Sequence, residues 1–333
     1  MKNKTRNRLL FARVILFATM IIASCAKSPL PEKAEKVRMG LRDSPVSALV
    51  YIARQQEGFK RHGVDLSIEN YQAGAFAVND LMAGKVDVIT AAETVLALQG
   101  FKNGDLRTIA SISSTNNTEV IARKDRGIAK PEDLRRKRIG VVKGNVTEFF
   151  LYAFLSFHGI PPGEIETVDI KPAEMAAAIV QGKIDAASCF PPFSDTIKNS
   201  LGRNGVSWSA QGGQDYYVLL LARAGWIKTH SHAVEGLLKG MLEAEELMKK
   251  DEAQAQAIVE RALGVDHETV LNTWTKTQFA VRLDQSLLTL LEDEGRWAIR
   301  NRLVEGQKIP NYLNFLYLDG LSKVKPDAVS VIH

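Results

Sequence analysis

Two stretches of the chain, one hundred residues apart, present the same succession of signals, and this repeat constrains the fold more than any other feature. Arg38, Met39, Gly40 and Leu41 form a short apolar strand. The loop Arg42-Asp43-Ser44-Pro45 follows, then a helical pattern over 46–56 that closes at Glu57-Gly58. A second strand (64–68) and a helix ending Ala83-Gly84-Lys85 lead to a third strand over 86–89. Arg138-Ile139-Gly140-Val141 restarts the series. It continues through the loop Lys143-Gly144-Asn145, a helix over 146–157, a strand over 166–170, a helix ending Gln181-Gly182-Lys183 and a strand over 184–187. Each copy is a β-α-β-α-β unit, and apolar strands alternating with helices imply parallel sheets covered on both faces. The Gly-Lys-apolar-Asp steps at 84–87 and 182–185 read as glycine helix caps followed at once by a strand.

The two units are not simple tandem domains. Residues 120–124 read as a strand leaving the first lobe, and 216–223 as a strand going back. The segment from about 229 to 321 reads as helical, with no sheet of its own, packed on the first lobe. Two crossings make a two-strand hinge of the kind that closes over a ligand. The expected boundaries are a leader over 1–24, a tether over 25–36, lobe 1 over 37–123, lobe 2 over 124–216, and a return to lobe 1 over 217–333.

Charge excludes one function class. Of 43 Lys and Arg, five (Lys2, Lys4, Arg6, Arg8 and Arg13) fall in the first 24 residues, which hold no acid; the remaining 38 balance 38 Asp and Glu. The net charge of +5 therefore belongs to the leader, and a nucleic-acid function has no support. The apolar core of that leader, 14–23, is too short to span a bilayer and reads as a signal peptide. It ends Ile22-Ala23-Ser24-Cys25, which resembles the bacterial lipobox. That resemblance implies cleavage before Cys25 and its lipidation, hence a protein anchored to a bacterial membrane in the periplasm or at the cell surface. The one other cysteine is Cys189, so no intramolecular disulfide is expected beside a lipidated Cys25.

Several stretches carry a wider resemblance: VRMGLRDSPVSALVYIARQQEGFKRHG over 37–63, residues 81–88, PEDLRRKRIGVVKG over 131–144, residues 173–193, and the tail over 265–297. The chain resembles the periplasmic substrate-binding proteins of ABC importers, nearest to the nitrate, sulfonate and taurine binders and their thiamine-precursor relatives. The resemblance implies an α/β, two-lobed type 2 periplasmic-binding-protein fold. It also implies a small-molecule solute held between the lobes, an ABC permease and its ATPase as partners, a monomeric state and no cofactor.

Ligands of open α/β sheets bind beyond the carboxyl ends of strands. That selects Ser44 after the first strand, Ala92 and Glu93 after the strand at 86–89, and Ser113, Thr115 and Asn116 after 108–112. In the second unit it selects the loop 143–147 and Phe190. Asp215 and Tyr216 lie at the return crossing. Gly144, Asn145 and Thr147 match the loop that supplies ligand contacts in the sulfonate-binding relatives. Two local readings compete. Ser44 before Pro45 reads equally as a helix N-cap, and Asn145 with Glu148 as a capping box. Glu93 and Asp215 favour an amine-bearing zwitterion or heterocycle over a plain anion, unless Glu93 caps its own helix.

Two other function classes remain. The same fold hosts an enzyme-like relative that makes a thiamine pyrimidine and depends on an active-site histidine and a cysteine-rich loop. Here Cys189 stands alone, and none of the six histidines falls in a predicted cleft loop. His230 and His232 supply two metal ligands without a third, so no metal is expected. A lipoprotein sensor without a transport role would have an apolar-filled cleft, against which the polar run 113–117 argues.

Overall fold

The computed structural model describes residues 34–102 and 104–332. The leader, the signal-peptide site and Cys25 lie outside the described residues. The strands are β1 (Glu35–Arg42), β2 (Val64–Tyr71), β3 (Val88–Ala92), β4 (Leu106–Thr115), β5 (Glu119–Arg123), β6 (Arg138–Val141), β7 (Glu166–Asp169), β8 (Ala186–Cys189), β9 (Gly205–Ser209), β10 (Tyr216–Arg223) and β11 (Thr277–Arg282). They build two sheets. One has six strands in the order β11-β4-β10-β3-β1-β2, the other five in the order β7-β6-β8-β5-β9. The chain crosses between them over 116–118 and again over 210–215.

Within each sheet the three strands of the repeat are parallel: β2-β1-β3 in the first and β7-β6-β8 in the second. The sheets as wholes are mixed, which departs from the parallel expectation. β10 runs antiparallel to β3 and β4, and β5 antiparallel to β8 and β9. The reason is the crossing itself. A strand entering from the other lobe starts where the repeat strands end, so it must run the opposite way. A second correction concerns the tail, which is not all-helical. β11 lies within it and pairs with β4 at the sheet edge. Burial follows position: every residue of β3 is buried, whereas in edge strand β2 only Val64 is buried and the rest are half-buried or exposed.

The repeat is reproduced to the level of single hydrogen bonds. Arg38 at the start of β1 grips Asp87 with Nε (3.0 Å to Oδ2) and Nη2 (2.6 Å to Oδ1), while Nη2 also donates to the Gly84 carbonyl at 2.9 Å. Arg138 in β6 grips Asp185 with Nε (3.1 Å) and Nη2 (2.9 Å), and donates to the Gly182 carbonyl at 2.7 Å. Gly84 and Gly182 both sit at φ 72°, the left-handed geometry that glycine adopts without cost. The Asp of each Gly-Lys-apolar-Asp step thus ties the helix end to the start of the repeat's first strand. Burial raises Asp87 and Asp185, and the arginine bonds outweigh it, holding both carboxyls below their ordinary values.

The helix Gln285–Arg300 begins at Asp284, whose carboxylate accepts from Leu287 N at 3.1 Å. Its buried face carries Leu287, Leu288, Leu291, Glu294, Trp297 and Ala298. Trp297 stands edge-on to Phe149 at 5.3 Å between ring centres and to Tyr152 at 5.9 Å. Both partners lie on the helix Val146–Phe157 that follows β6. The helix Gln285–Arg300 therefore joins the two halves through an aromatic cluster.

Candidate functional site

β1 and β6 carry the argument to the ends of the repeat strands, where the two halves face each other. β1 ends at Arg42, which is 3% exposed. Its backbone N–H donates to Thr90 Oγ1 at 2.8 Å and its carbonyl accepts from Ser47 Oγ at 2.9 Å, so the main chain is fixed on both sides. The guanidinium lies 4.1 Å from the centre of the Phe190 ring, which follows β8 in the other sheet. Nη1 donates to Tyr216 Oη at 2.8 Å, and Tyr216 Oη donates to Asn117 Oδ1 at 3.3 Å. Arg42 is the site residue missing from the sequence expectation, which places it in the loop after the first strand but takes Ser44 from that loop. The signal was in the repeat: the counterpart of Arg42, one hundred residues on, is Val142. A cation at the end of a buried apolar strand is a departure that packing does not explain.

In the segments that follow β1, β4 and β6, buried polar atoms have no partner in the protein: Ser44 Oγ, Asn117 Nδ2, Thr118 Oγ1, Asn145 Oδ1 and Thr147 Oγ1. These come from loops of both halves. Buried polar groups are normally satisfied, so such a set needs an explanation. Helix capping is not the explanation. Neither Ser44 nor Asn145 makes a side-chain cap bond. The reciprocal capping box also fails to form, because Glu148 accepts from Gly144 N at 2.9 Å rather than from Asn145 N. Gly144 holds φ 69°, which turns the chain into the helix behind it. Ala92 is buried and contributes through its backbone, pairing with Val218.

Other sequence candidates are occupied within the fold. Ser113 Oγ donates to the Val46 carbonyl at 2.8 Å, and Thr115 Oγ1 to the Lys276 carbonyl at 3.0 Å. Ser114 Oγ donates to Asp215 Oδ2 at 3.2 Å, which ties down the half-buried Asp215. Asn116 donates weakly to the Gln214 carbonyl at 3.4 Å. The polar run 113–117 is therefore mostly spent on joining strands and crossings, and its unpartnered atom is Asn117 Nδ2.

Glu93 needs a correction. It is fully buried, its Oε2 accepts from Tyr217 N at 2.7 Å, and its carboxyl lies beside that of Glu294, also fully buried. Glu294 in turn accepts from Thr94 Oγ1. Burial pushes Glu93 up to about 8 and Glu294 well above the carboxylate range. Two fully buried carboxyls side by side cannot both ionise. At neutral pH this pair holds a proton, and Glu93 is not the free carboxylate that would attract an ammonium group.

Cys189 is fully buried, and burial pushes its thiol up to about 12, so it stays protonated. Among the described residues no group of three or more His, Cys, Asp and Glu is arranged to hold a metal ion. His230 is stacked on Trp226 with ring centres 4.8 Å apart and bonds its carbonyl at 2.9 Å. A separate groove of about 1410 Å³ runs beside the Trp297 cluster, bordered by Arg296, Arg300 and Lys308. It includes neither Arg42 nor the loops after β1 and β8.

Residues 44–255 match the family described as NMT1/THI5 like. A taurine-binding periplasmic protein of Escherichia coli (strain K12) is 29% identical over 195 residues, which cover 56% of this chain and 58% of that protein. The chain thus spans little more than half of that relative's length in the match. Among solved structures, the alkanesulfonate-binding protein SsuA of Xanthomonas axonopodis pv. citri, bound to MOPS, superimposes with a TM-score of 0.73 at 15% identity, covering 86% of this chain and 99% of the other. A desulfurization enzyme, DszB, superimposes with a TM-score of 0.62 at 15% identity, covering 88% and 99%. These likenesses place the fold among the periplasmic binding proteins.

Proposed function

The chain belongs to the NMT1/THI5-like family, and on that premise we propose that it is the solute-binding component of an ABC importer, taking a small organic solute of the sulfonate or taurine type between its two lobes. The observation that carries this reading is the set of buried, unpartnered polar atoms that both halves contribute at the ends of their strands, those of Arg42 among them. A bound solute supplies partners that neither half supplies alone. It is therefore held better when the lobes are together, and differential affinity of this kind is what shifts such a molecule toward closure. The two crossings over 116–118 and 210–215 are the hinge. The lobes divide as 37–123 with 217–333, and 124–216. Ser44, Asn145, Thr147, Phe190 and Tyr216 line the solute site.

The Ile22-Ala23-Ser24-Cys25 sequence supports export and lipid attachment at Cys25, so the receptor works as a tethered monomer outside the cytoplasm. Among the described residues no helix is long and apolar enough to cross a membrane. A permease and its ATPase complete the importer. Binding is favoured over catalysis, despite the likeness to a desulfurization enzyme, because the thiol near the cleft is buried and protonated.

A thermal-shift titration of the chain from Ala26 onward tests the proposal, using taurine, ethanesulfonate, nitrate and an aminopyrimidine. A ligand at one hundred times its dissociation constant adds about 2.7 kcal/mol. The shift is expected to shrink in the double variant Ser44→Ala/Asn145→Ala, with the unliganded midpoint nearly unchanged. No shift with any probe would overturn the receptor reading.

A further inference from the structure

Resting on the reading of the interlobe cleft as a solute site, we infer that Arg42 is the residue that selects the solute, seating an oxyanion side-on through Nε and Nη2 while Phe190 of the opposite half covers the guanidinium face. Both nitrogens are buried and without a partner. They form one edge of the guanidinium, and the chain shows twice what that edge does. Arg38 holds Asp87 with the same two nitrogens, at 3.0 and 2.6 Å, and Arg138 holds Asp185 with them at 3.1 and 2.9 Å. In each case two oxygens of one anion meet two parallel N–H groups, the fork geometry that distinguishes arginine from lysine. Arg42 presents the identical edge, and no carboxylate among the described residues meets it.

Three further observations support the assignment. Among the described residues, Arg42 is the one lysine or arginine that is buried. A buried cation is expensive unless it is paired, so the fold retains one here at a cost that a bound anion offsets. Its orientation is fixed independently of any solute, since Nη1 is held by Tyr216 and Tyr216 by Asn117. The free edge is thereby pre-aimed rather than mobile. Finally, the buried Glu93 is turned to Tyr217 N and lies beside Glu294 rather than pairing with Arg42. The site is left with one uncompensated positive charge, which selects an organic monoanion carrying a carboxylate or sulfonate head. Asn117 Nδ2, next along the same hydrogen-bond chain and unpartnered, is placed to serve a third oxygen and so to favour the sulfonate.

Isothermal titration of the chain from Ala26 onward with ethanesulfonate, propionate and ethanolamine tests this, in wild type, Arg42→Lys and Arg42→Gln. Wild type is expected to bind ethanesulfonate and propionate but not ethanolamine. Arg42→Lys keeps the charge and loses the fork, and is expected to weaken anion binding at least tenfold; Arg42→Gln is expected to abolish it. Should Arg42→Gln fail to fold, the Arg42 Nε–Hε resonance of the wild type, assigned by its loss in Arg42→Lys, is expected to move on adding ethanesulfonate. Anion binding unchanged in Arg42→Lys and Arg42→Gln, or an unmoved Nε–Hε resonance at saturation, would overturn the inference and leave the receptor standing. Binding of ethanolamine alone would do the same. Failure of every probe, the four of the thermal-shift panel included, would instead overturn the receptor reading on which it rests.

Discussion

Glu294→Gln should flatten the decline of stability with rising pH. In the folded chain the Glu93 and Glu294 carboxyls are fully buried beside each other. They are surrounded by Thr94, Tyr217 N, Tyr216, Tyr312 and Asp293. None of these is a cation. In the unfolded chain both carboxyls ionise in the ordinary range near pH 4.5. Each carboxyl therefore keeps, in the folded state, a proton that the unfolded state has lost, from about pH 5 until Glu93 releases its own near 8. With raised folded-state values, the stabilisation is complete below the unfolded value and is lost as pH rises toward the folded value. One extra proton corresponds to about 1.4 kcal/mol per pH unit, or about 3 kcal/mol between pH 5 and 7. Glutamine at 294 keeps an acceptor for Thr94 and a donor for Glu93, and removes one titrating group. Thermal unfolding followed by circular dichroism, at matched ionic strength from pH 5 to 8, reads the difference. The variant should be level with or slightly below wild type at pH 5 and gain on it at each higher pH, by roughly 2 °C per unit for a chain this long. Histidines and surface groups titrate equally in both proteins and cancel. Parallel curves across the range would refute the account in which burial keeps a proton on Glu294 in addition to the one on Glu93.

Two further outcomes follow from packing. Gly140→Ala should destabilise by about 1–3 kcal/mol, because a Cβ there would stand 2.7 Å from Ile184 Cδ1; Gly63→Ala, with nothing within 4 Å but φ 74°, reports backbone strain alone as the control in chemical denaturation. In the native chain Cys189 should resist thiol reagents at pH 8 and react at the rate of global unfolding, since the thiol is fully buried and pushed up to about 12; fast labelling without denaturant would contradict that environment.

The α/β class was legible because the repeat displays its period openly: two apolar strand starts with the same Arg-apolar-Gly-apolar pattern, and two Gly-Lys-apolar-Asp steps. The antiparallel members were not. Nothing in the apolar composition of β10 reveals its direction, which follows from the lobe it returns from. β11 was hidden because Thr277, Gln278 and Phe279 interrupt a helical tail for only six residues and owe their extended form to pairing with β4. At the site, the loops after the strands pointed to Ser44, Asn145, Thr147 and Phe190. Side-chain direction was not readable, so Ser113 and Thr115 seemed free although their hydroxyls join one segment to another. Glu93 misled for a related reason. A carboxylate is read as charged, and only its contact with Glu294, two hundred positions away in sequence, shows that it is not. Arg42 was overlooked because an arginine in a loop reads as a solvated charge, whereas in the fold it ends β1 and is buried.

The matched pair of arginine clamps has an architectural consequence. Arg38–Asp87 and Arg138–Asp185 fasten each unit at the end of its strands remote from the cleft, using the same atoms in both. The opposite ends share almost nothing: Arg42-Asp43-Ser44 stands in one unit where Val142-Lys143-Gly144 stands in the other. The molecule is thus a standardised chassis with interchangeable tips. Exchanging one tip for another touches none of the bonds that define the chassis, which gives chains of this construction a route to new solutes without relearning how to fold.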